Sequence, residues 1–222
     1  MSAQKILLAG ATGYTGKQLL PLLKEHQVTA WLRENSPNKA EKIHWLSSLR
    51  AKTITMDLTP QASLTEKVSG TDCLISLLGT TKAQFNAQTS YESVDYGLNA
   101  NLIKLAKAAS IPRFILLSSI GAEKPTGAYL KIKKLIEDEL RASGLKWLIL
   151  RPSFITGKGR RLPEMLSPAF ALMRRLSPKM ADLYRPMNVA VLARVIANVI
   201  QDTKLNNCVL EGSALWKLSR AR

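Results

Sequence analysis

"LLAGATGYTGKQLL", residues 7 to 20, sets three glycines, Gly10, Gly13 and Gly16, three apart between an apolar run and a helical pattern. A loop with so little side chain serves a backbone that turns tightly or lies very close to something else. The order of elements around it decides between a plain turn and a binding loop. A glycine loop that closes the first strand and opens the first helix of a βαβ unit is the place where such folds hold a pyrophosphate. Gly10 then makes the turn, Gly13 leaves room for the phosphates, and Gly16 lets the helix pack against the strand. The helix start adds amide groups and the positive end of its dipole. The spacing here is G-x-x-G-x-x-G, and Thr12, Tyr14 and Thr15 add hydroxyls to the loop.

The rest of the chain repeats that alternation. Apolar runs at 5–10, 28–33, 53–57, 72–79, 113–119 and 146–152 predict six strands. Helical patterns at 15–25, 38–49, 91–109 and 128–142, with a short one around Leu64 and Val68, fall between them. The runs are nearly continuous in apolar residues, as strands buried on both faces are. The expected fold is therefore a doubly wound α/β domain with a mainly parallel sheet covered by helices. After Pro152 the rhythm breaks. Pro163, Pro168, Pro178 and Pro186 predict loops with one helix near 164–176, then a helix at 188–201 and a short strand near 207–210. We read the 222 residues as one domain, a core over 1–152 followed by a substrate-side segment over 153–222.

Composition is that of a globular protein, 46% hydrophobic and 22% charged. No apolar run is long enough to span a bilayer, so no membrane association is expected. The N-terminal stretch enters a strand at once and is expected to carry no signal peptide. Cys73 and Cys208 stand far apart without metal-ligand spacing, which fits a reduced, cytoplasmic setting and no metal site. The net charge of +16 is uneven, with 12 Lys/Arg against 8 Asp/Glu in 1–112 and 20 against 8 in 113–222. Such an excess suits anionic partners. No nucleic-acid motif accompanies it, so a solvated basic surface is the expectation and specific nucleic-acid binding is not.

The end of the second strand speaks to the nucleotide. A free 2′-hydroxyl calls for Asp or Glu about twenty residues after the glycines, whereas an arginine holds a 2′-phosphate. The sequence there is "AWLREN", with Arg33 first and Glu34 second. Arg33 favours NADP(H) over NAD(H), and Glu34 keeps the ribose hydroxyl as the alternative.

A second signal lies in "FILLSSIGAEKPTGAYLKIKKLIEDEL", residues 114–140. Tyr129 and Lys133 are four apart on a predicted helix and share a face. Ser118 and Ser119 end the preceding strand, where ligands bind in parallel sheets. A phenol is a weak acid at neutral pH, and a neighbouring ammonium favours its ionised form. Together with a serine hydroxyl to orient a carbonyl oxygen, this set suits proton transfer coupled to hydride transfer. Either Ser118 or Ser119 could be that serine.

The chain resembles the atypical short-chain dehydrogenase/reductases, nearest the branch of Tat-interacting-protein-like and NmrA-like NAD(P)-binding proteins. The likeness is carried by "GATGYTG", "LLGTT" (77–81), "LLSSIGAEK" (116–124), "YLKIK" (129–133) and "RPSFI" (151–155), and covers roughly residues 4–161. It implies that Gly10, Thr12, Gly13, Tyr14, Thr15 and Gly16 hold the cofactor phosphates and that Arg33 meets the 2′-phosphate. It implies an adenine-side acid at Asp57, contacts beside the nicotinamide at Leu78, Gly79 and Thr80, and catalysis by Tyr129 and Lys133, which also touch the cofactor. The segment holding Pro152 and Ile155 would pass over the nicotinamide. Some relatives are reductases acting on a carbonyl or alcohol, and others are NADP-dependent regulators that bind a protein partner. Both functions are open at this point, and no residue identifies a substrate.

Overall fold

The computed structural model describes residues 3–58, 62–79, 95–160 and 175–220. Seven strands, β1 (Lys5–Ala9), β2 (Gln27–Trp31), β3 (Lys52–Ile54), β4 (Cys73–Ser76), β5 (Arg113–Leu117), β6 (Lys146–Arg151) and β9 (Cys208–Glu211), form one sheet. Its order is β3-β2-β1-β4-β5-β6-β9, and every neighbouring pair is parallel. Each lies on a predicted apolar run, though β2, β3, β4 and β5 end two to three residues sooner. Two shorter strands, β7 (Ile155–Thr156) and β8 (Met187–Asn188), pair in parallel beside it.

The helices are α1 (Gly16–Leu19), α2 (Lys39–Ser48), α3 (Ala62–Lys67), α4 (Leu98–Ala108), α5 (Gly127–Ala142), α6 (Pro178–Leu183), α7 (Val189–Gln201) and α8 (Ser213–Leu218). The predicted 15–25 helix is split. After α1 the chain tightens into a 3-10 turn, Leu20–Leu23, where Pro21 brings no N–H for an α-helical bond. A π-type turn over 95–97 leads into α4. The start of the predicted 91–109 helix, at 91–94, lies outside the described residues, as does most of the helix expected near 164–176. In the segment after it, read as loop, α6 begins on Pro178 at its first turn, a position that suits proline.

Strand alternation sorts the core into two layers. Ile6, Leu8, Val28, Ala30, Ile75, Ile115 and Leu117 meet α1 and α7, with Leu192, Ile196 and Val199 from the latter. Leu7, Ala9, Leu74, Phe114 and Leu116 face the other side, against Leu102 and Ala106 of α4 and Ile132, Ile136 and Leu140 of α5. Burial on both faces explains why the strands carry no polar alternation.

The sheet order also sets the place for a ligand. From β1 the chain steps outward to β2 and β3, then crosses back and steps outward the other way through β4, β5 and β6. The carboxyl ends of β1 and β4 flank that reversal, where open parallel sheets leave a crevice.

Candidate functional site

The glycine loop runs from the end of β1 into α1. Gly10 holds φ +88°, which a side chain would strain, and a Cβ there would meet the Leu77 carbonyl carbon at 3.1 Å. The amide of Gly13 donates to the Gly10 carbonyl at 3.0 Å and closes the turn. A Cβ on Gly16 would press into the Gly10 carbonyl oxygen and the Ala11 backbone, so only glycine lets α1 start so close to the strand end. Gly10 and Gly16 thus have a packing reason of their own, and together they leave a backbone cradle free of side chains at the β1 end. Thr12 is half-buried, and Thr15 is buried without capping α1. Tyr14 tucks its ring under the guanidinium of Arg160, 4.4 Å from its centroid. Arg160 closes a tight turn with Gly157 through reciprocal backbone bonds of 3.0 and 2.9 Å.

Arg33 follows β2 and is exposed, and Asp57 is exposed after β3. Glu34 is bound to Lys39 at 2.5 Å. Lys42 donates to the Ser36 hydroxyl at 2.8 Å. Burial, and after it the nearby charges of Arg33 and Lys17, holds the Lys42 ammonium below the usual lysine value. Lys17 and Lys42 line a cleft of about 320 Å³ together with Thr12, Asn38, Glu41 and Trp45.

Leu78 and Gly79 follow β4, and Thr80 lies outside the described residues. α5 carries Tyr129 and Lys133, with the Lys133 Nζ 5.6 Å from the Tyr129 ring centroid. Lys133 is buried and paired with Asp95 across 2.8 Å. Burial disfavours its ammonium, but Tyr129, Asp95 and Glu137 outweigh that cost and hold its pKa above the ordinary lysine value. α5 thus brings the phenol and the ammonium to the carboxyl end of β4.

The two serines part company. Ser118 is buried and donates to Glu137 Oε1 at 2.5 Å. Glu137 is in turn gripped by Arg151 at 2.9 and 2.6 Å and by Arg141 at 3.0 Å. Arg151 also reaches Glu123 at 2.7 Å and Glu211 at 3.3 Å. Breaking such a buried pair costs about 3–5 kcal/mol, so this knot of β5, α5, β6 and β9 is a structural brace. Ser119 is half-buried, and among the described residues its hydroxyl makes only a long, 3.4 Å contact to the Ile120 carbonyl. Of the two, Ser119 has the hydroxyl available to a ligand. Pro152 is buried after β6 and accepts from the Ile120 amide at 3.0 Å, while Ile155 is half-buried in β7.

Asp95 and Glu137 were missed in the sequence. Glu137 stands one turn beyond Lys133, and that spacing could have found it. Asp95 carries no such signal, because its partner is far along the chain. Among the described residues no group of three or more His, Cys, Asp or Glu could hold a metal ion, and no helix is long and apolar enough to cross a membrane.

The family model for NAD(P)H-binding proteins matches residues 10–202. This chain belongs to that family. With it the chain falls among the atypical short-chain dehydrogenase/reductases. Among curated relatives, mitochondrial protein FMP52 of Debaryomyces hansenii is 30% identical over 173 residues, 73% of this chain and 72% of that protein. The FMP52 protein of Aspergillus clavatus, also mitochondrial by name, is 29% identical over 205 residues, 87% of this chain and 85% of its own. The expected cytoplasmic setting is corrected by these relatives, whose names place them in mitochondria. Two cysteines without a pattern were too slight a ground for a compartment.

Two solved structures share the fold. One, from Bacillus halodurans and assigned as an NAD-dependent epimerase/dehydratase, has a TM-score of 0.72 at 20% identity and covers 99% of this chain and 100% of its own. The NADPH-dependent quinone oxidoreductase of Escherichia coli, solved with NADPH, has a TM-score of 0.65 at 21% identity and covers 93% of this chain and 68% of its own. The fold of this NAD(P)-binding family member is that of the NAD(P)-dependent oxidoreductases and epimerases.

Proposed function

We propose that the protein is an NADP(H)-dependent oxidoreductase interconverting a carbonyl and an alcohol, with Tyr129, Lys133 and Ser119 as its working side chains. The observation that carries this reading is the placement of Tyr129 and Lys133 on one face of α5, with the ammonium 5.6 Å from the phenol ring, at the carboxyl end of β4. The cradle at Gly10, Gly13 and Gly16 fits a pyrophosphate, with Thr12, Tyr14 and Thr15 around it, and Asp57 belongs to the adenine end. Leu78 and Gly79, with Pro152 and Ile155 opposite, would border the nicotinamide. The bound dinucleotide would supply the hydride that the carbonyl carbon takes up. Tyr129 gives its hydroxyl proton to the carbonyl oxygen, so an alcohol forms. Lys133 eases that loss by favouring the phenolate, and Ser119 donates to the same oxygen. We further read the chain as a single functional unit, with 1–152 holding the cofactor and 153–222 shaping the substrate side.

NADPH oxidation followed optically against quinones, aldehydes and ketones tests the reading. Tyr129→Phe removes the proton and keeps the ring, so NADPH binding should survive while turnover falls about 10²–10⁴-fold. Equal turnover by wild type and Tyr129→Phe would refute the mechanism. A second reading is a dinucleotide-sensing regulator with a protein partner. It draws on Ser118, whose hydroxyl is committed to Glu137 and leaves Ser119 alone to serve a substrate. Tight NADPH binding with silence across the panel would favour it.

A further inference from the structure

The buried ion pair behind Tyr129 is the least expected feature of the site. Lys133 is 2% exposed and Asp95 is 0% exposed, and Nζ lies 2.8 Å from Oδ1. The same ammonium donates to the Leu78 carbonyl at 3.3 Å. Asp95 reaches this point from the π-type turn over 95–97, an irregularity often found at functional sites. Sealing two charges away from water costs free energy that packed apolar side chains would avoid. A Cβ on Gly79 would lie 3.4 Å from Nζ and 3.5 Å from Oδ1, so the backbone after β4 packs directly against the pair.

The groups facing Lys133 are Asp95 ahead of α4, Tyr129 and Glu137 on α5, and the Leu78 carbonyl after β4. Glu137 is already met by Arg151 and Arg141. Asp95 is therefore the carboxylate whose charge Lys133 answers.

We propose that Asp95 is a positioning residue for the proton transfer. It fixes the Lys133 ammonium between the Leu78 carbonyl and Tyr129, and its charge sets how strongly that cation acts on the phenol. The inference rests on Tyr129 and Lys133 as the acid–base pair. A carboxylate in contact with the ammonium offsets part of the field that lowers the phenol pKa. A proton donor in the reducing direction must hold its hydroxyl proton until the transfer, and that is the balance Asp95 would set.

Asp95→Asn keeps the size and an acceptor while removing the charge. Ionisation of Tyr129 is read from phenolate absorbance across a pH titration, isolated by subtracting the same titration of Tyr129→Phe. This readout needs neither substrate nor cofactor. Freed from the carboxylate, the ammonium should pull the Tyr129 midpoint down by about one pH unit or more, at an effective dielectric constant near 20. The midpoint of any NADPH turnover should move the same way. An Asp95→Asn midpoint equal to that of wild type would overturn the proposal and leave Asp95 as a fold partner only. Should Asp95→Asn not fold, the double variant Asp95→Asn/Lys133→Met removes both charges of the pair and leaves Glu137 with its arginines. It should titrate close to wild type if Asp95 offsets the lysine. A midpoint well above wild type would show Lys133 acting without that offset and would refute the proposal. Absence of turnover across the panel would count against the reductase reading and leave the titration result standing.

Discussion

Arg33 stands exposed beyond β2 with two further cations nearby, whereas Glu34 beside it is turned to Lys39. Three positive groups crowding one another cost free energy that an anion would relieve. On the proposed NADP(H) reading, that anion is the 2′-phosphate. NADPH should therefore bind more tightly than NADH, and Arg33→Ala should weaken NADPH by about tenfold or more, a charge-assisted bond of roughly 1.5–3 kcal/mol, while sparing NADH. Titration calorimetry giving equal affinities for wild type would shift the weight to Glu34 as a ribose acceptor. At this scale legibility follows chain distance. The glycines could be read because a turn, a close approach and a helix start demand one residue type at fixed spacing. Tyr129 and Lys133 could be read because a helix brings i and i+4 together. Asp95 could not, since only the closed sheet brings it to Lys133. The difference between Ser118 and Ser119 was equally hidden, because it depends on Glu137 and Arg151 meeting beneath one and not the other.

Strand β1 begins beside the turn that enters β2, and His26 joins the two. Its Nδ1 accepts from the Gln4 amide at 3.1 Å, so the bond needs a ring nitrogen without a proton. Burial is the larger influence on His26 and lowers its pKa, against a smaller opposing pull from Glu25. The unfolded chain then takes up a proton before the folded one does. The contribution is whole above about pH 6.5, the unfolded value, and is lost as pH falls through the lowered folded value. Urea midpoints recorded from pH 7.5 downward should decline over that window, and His26→Asn should flatten the decline. An unchanged slope in the variant would remove His26 as its cause. All seven strands of the main sheet were legible as elements; β4 and β5 are buried along their whole length, which leaves nearly unbroken apolar runs, whereas the edge strands β3 and β9 are only partly buried and carry a weaker signal. The paired strands Ile155–Thr156 and Met187–Asn188 were not, since two residues carry no period. Helix Pro178–Leu183 escaped because a proline-rich stretch suggests loop, although proline is at home in a first helical turn.

The whole molecule carries a net charge of +16, most of it from the later half. Some of those cations are inside. Arg113, Lys133 and Arg151 are buried, and Arg113 is spent on the carbonyls of Ile200, Asp202 and Leu205. What remains on the surface should attract polyanions without reading them. Duplex DNA should bind weakly and without sequence preference in a gel shift, and the complex should be gone near ~150 mM salt. A tight, sequence-selective complex at that salt would reveal a dedicated nucleic-acid surface. The outermost strand on the β6 side has a separate consequence, one that concerns birth rather than chemistry. Arg151 and its strand partner Glu211 are 60 residues apart. On the ribosome, β6 emerges long before β9 can cover it, so Leu148, Ile149 and Leu150 present a bare apolar edge while the remaining chain is still being made. The nascent protein is most prone to stick to its neighbours during that interval, and the last four-residue strand, Cys208–Glu211, closes it.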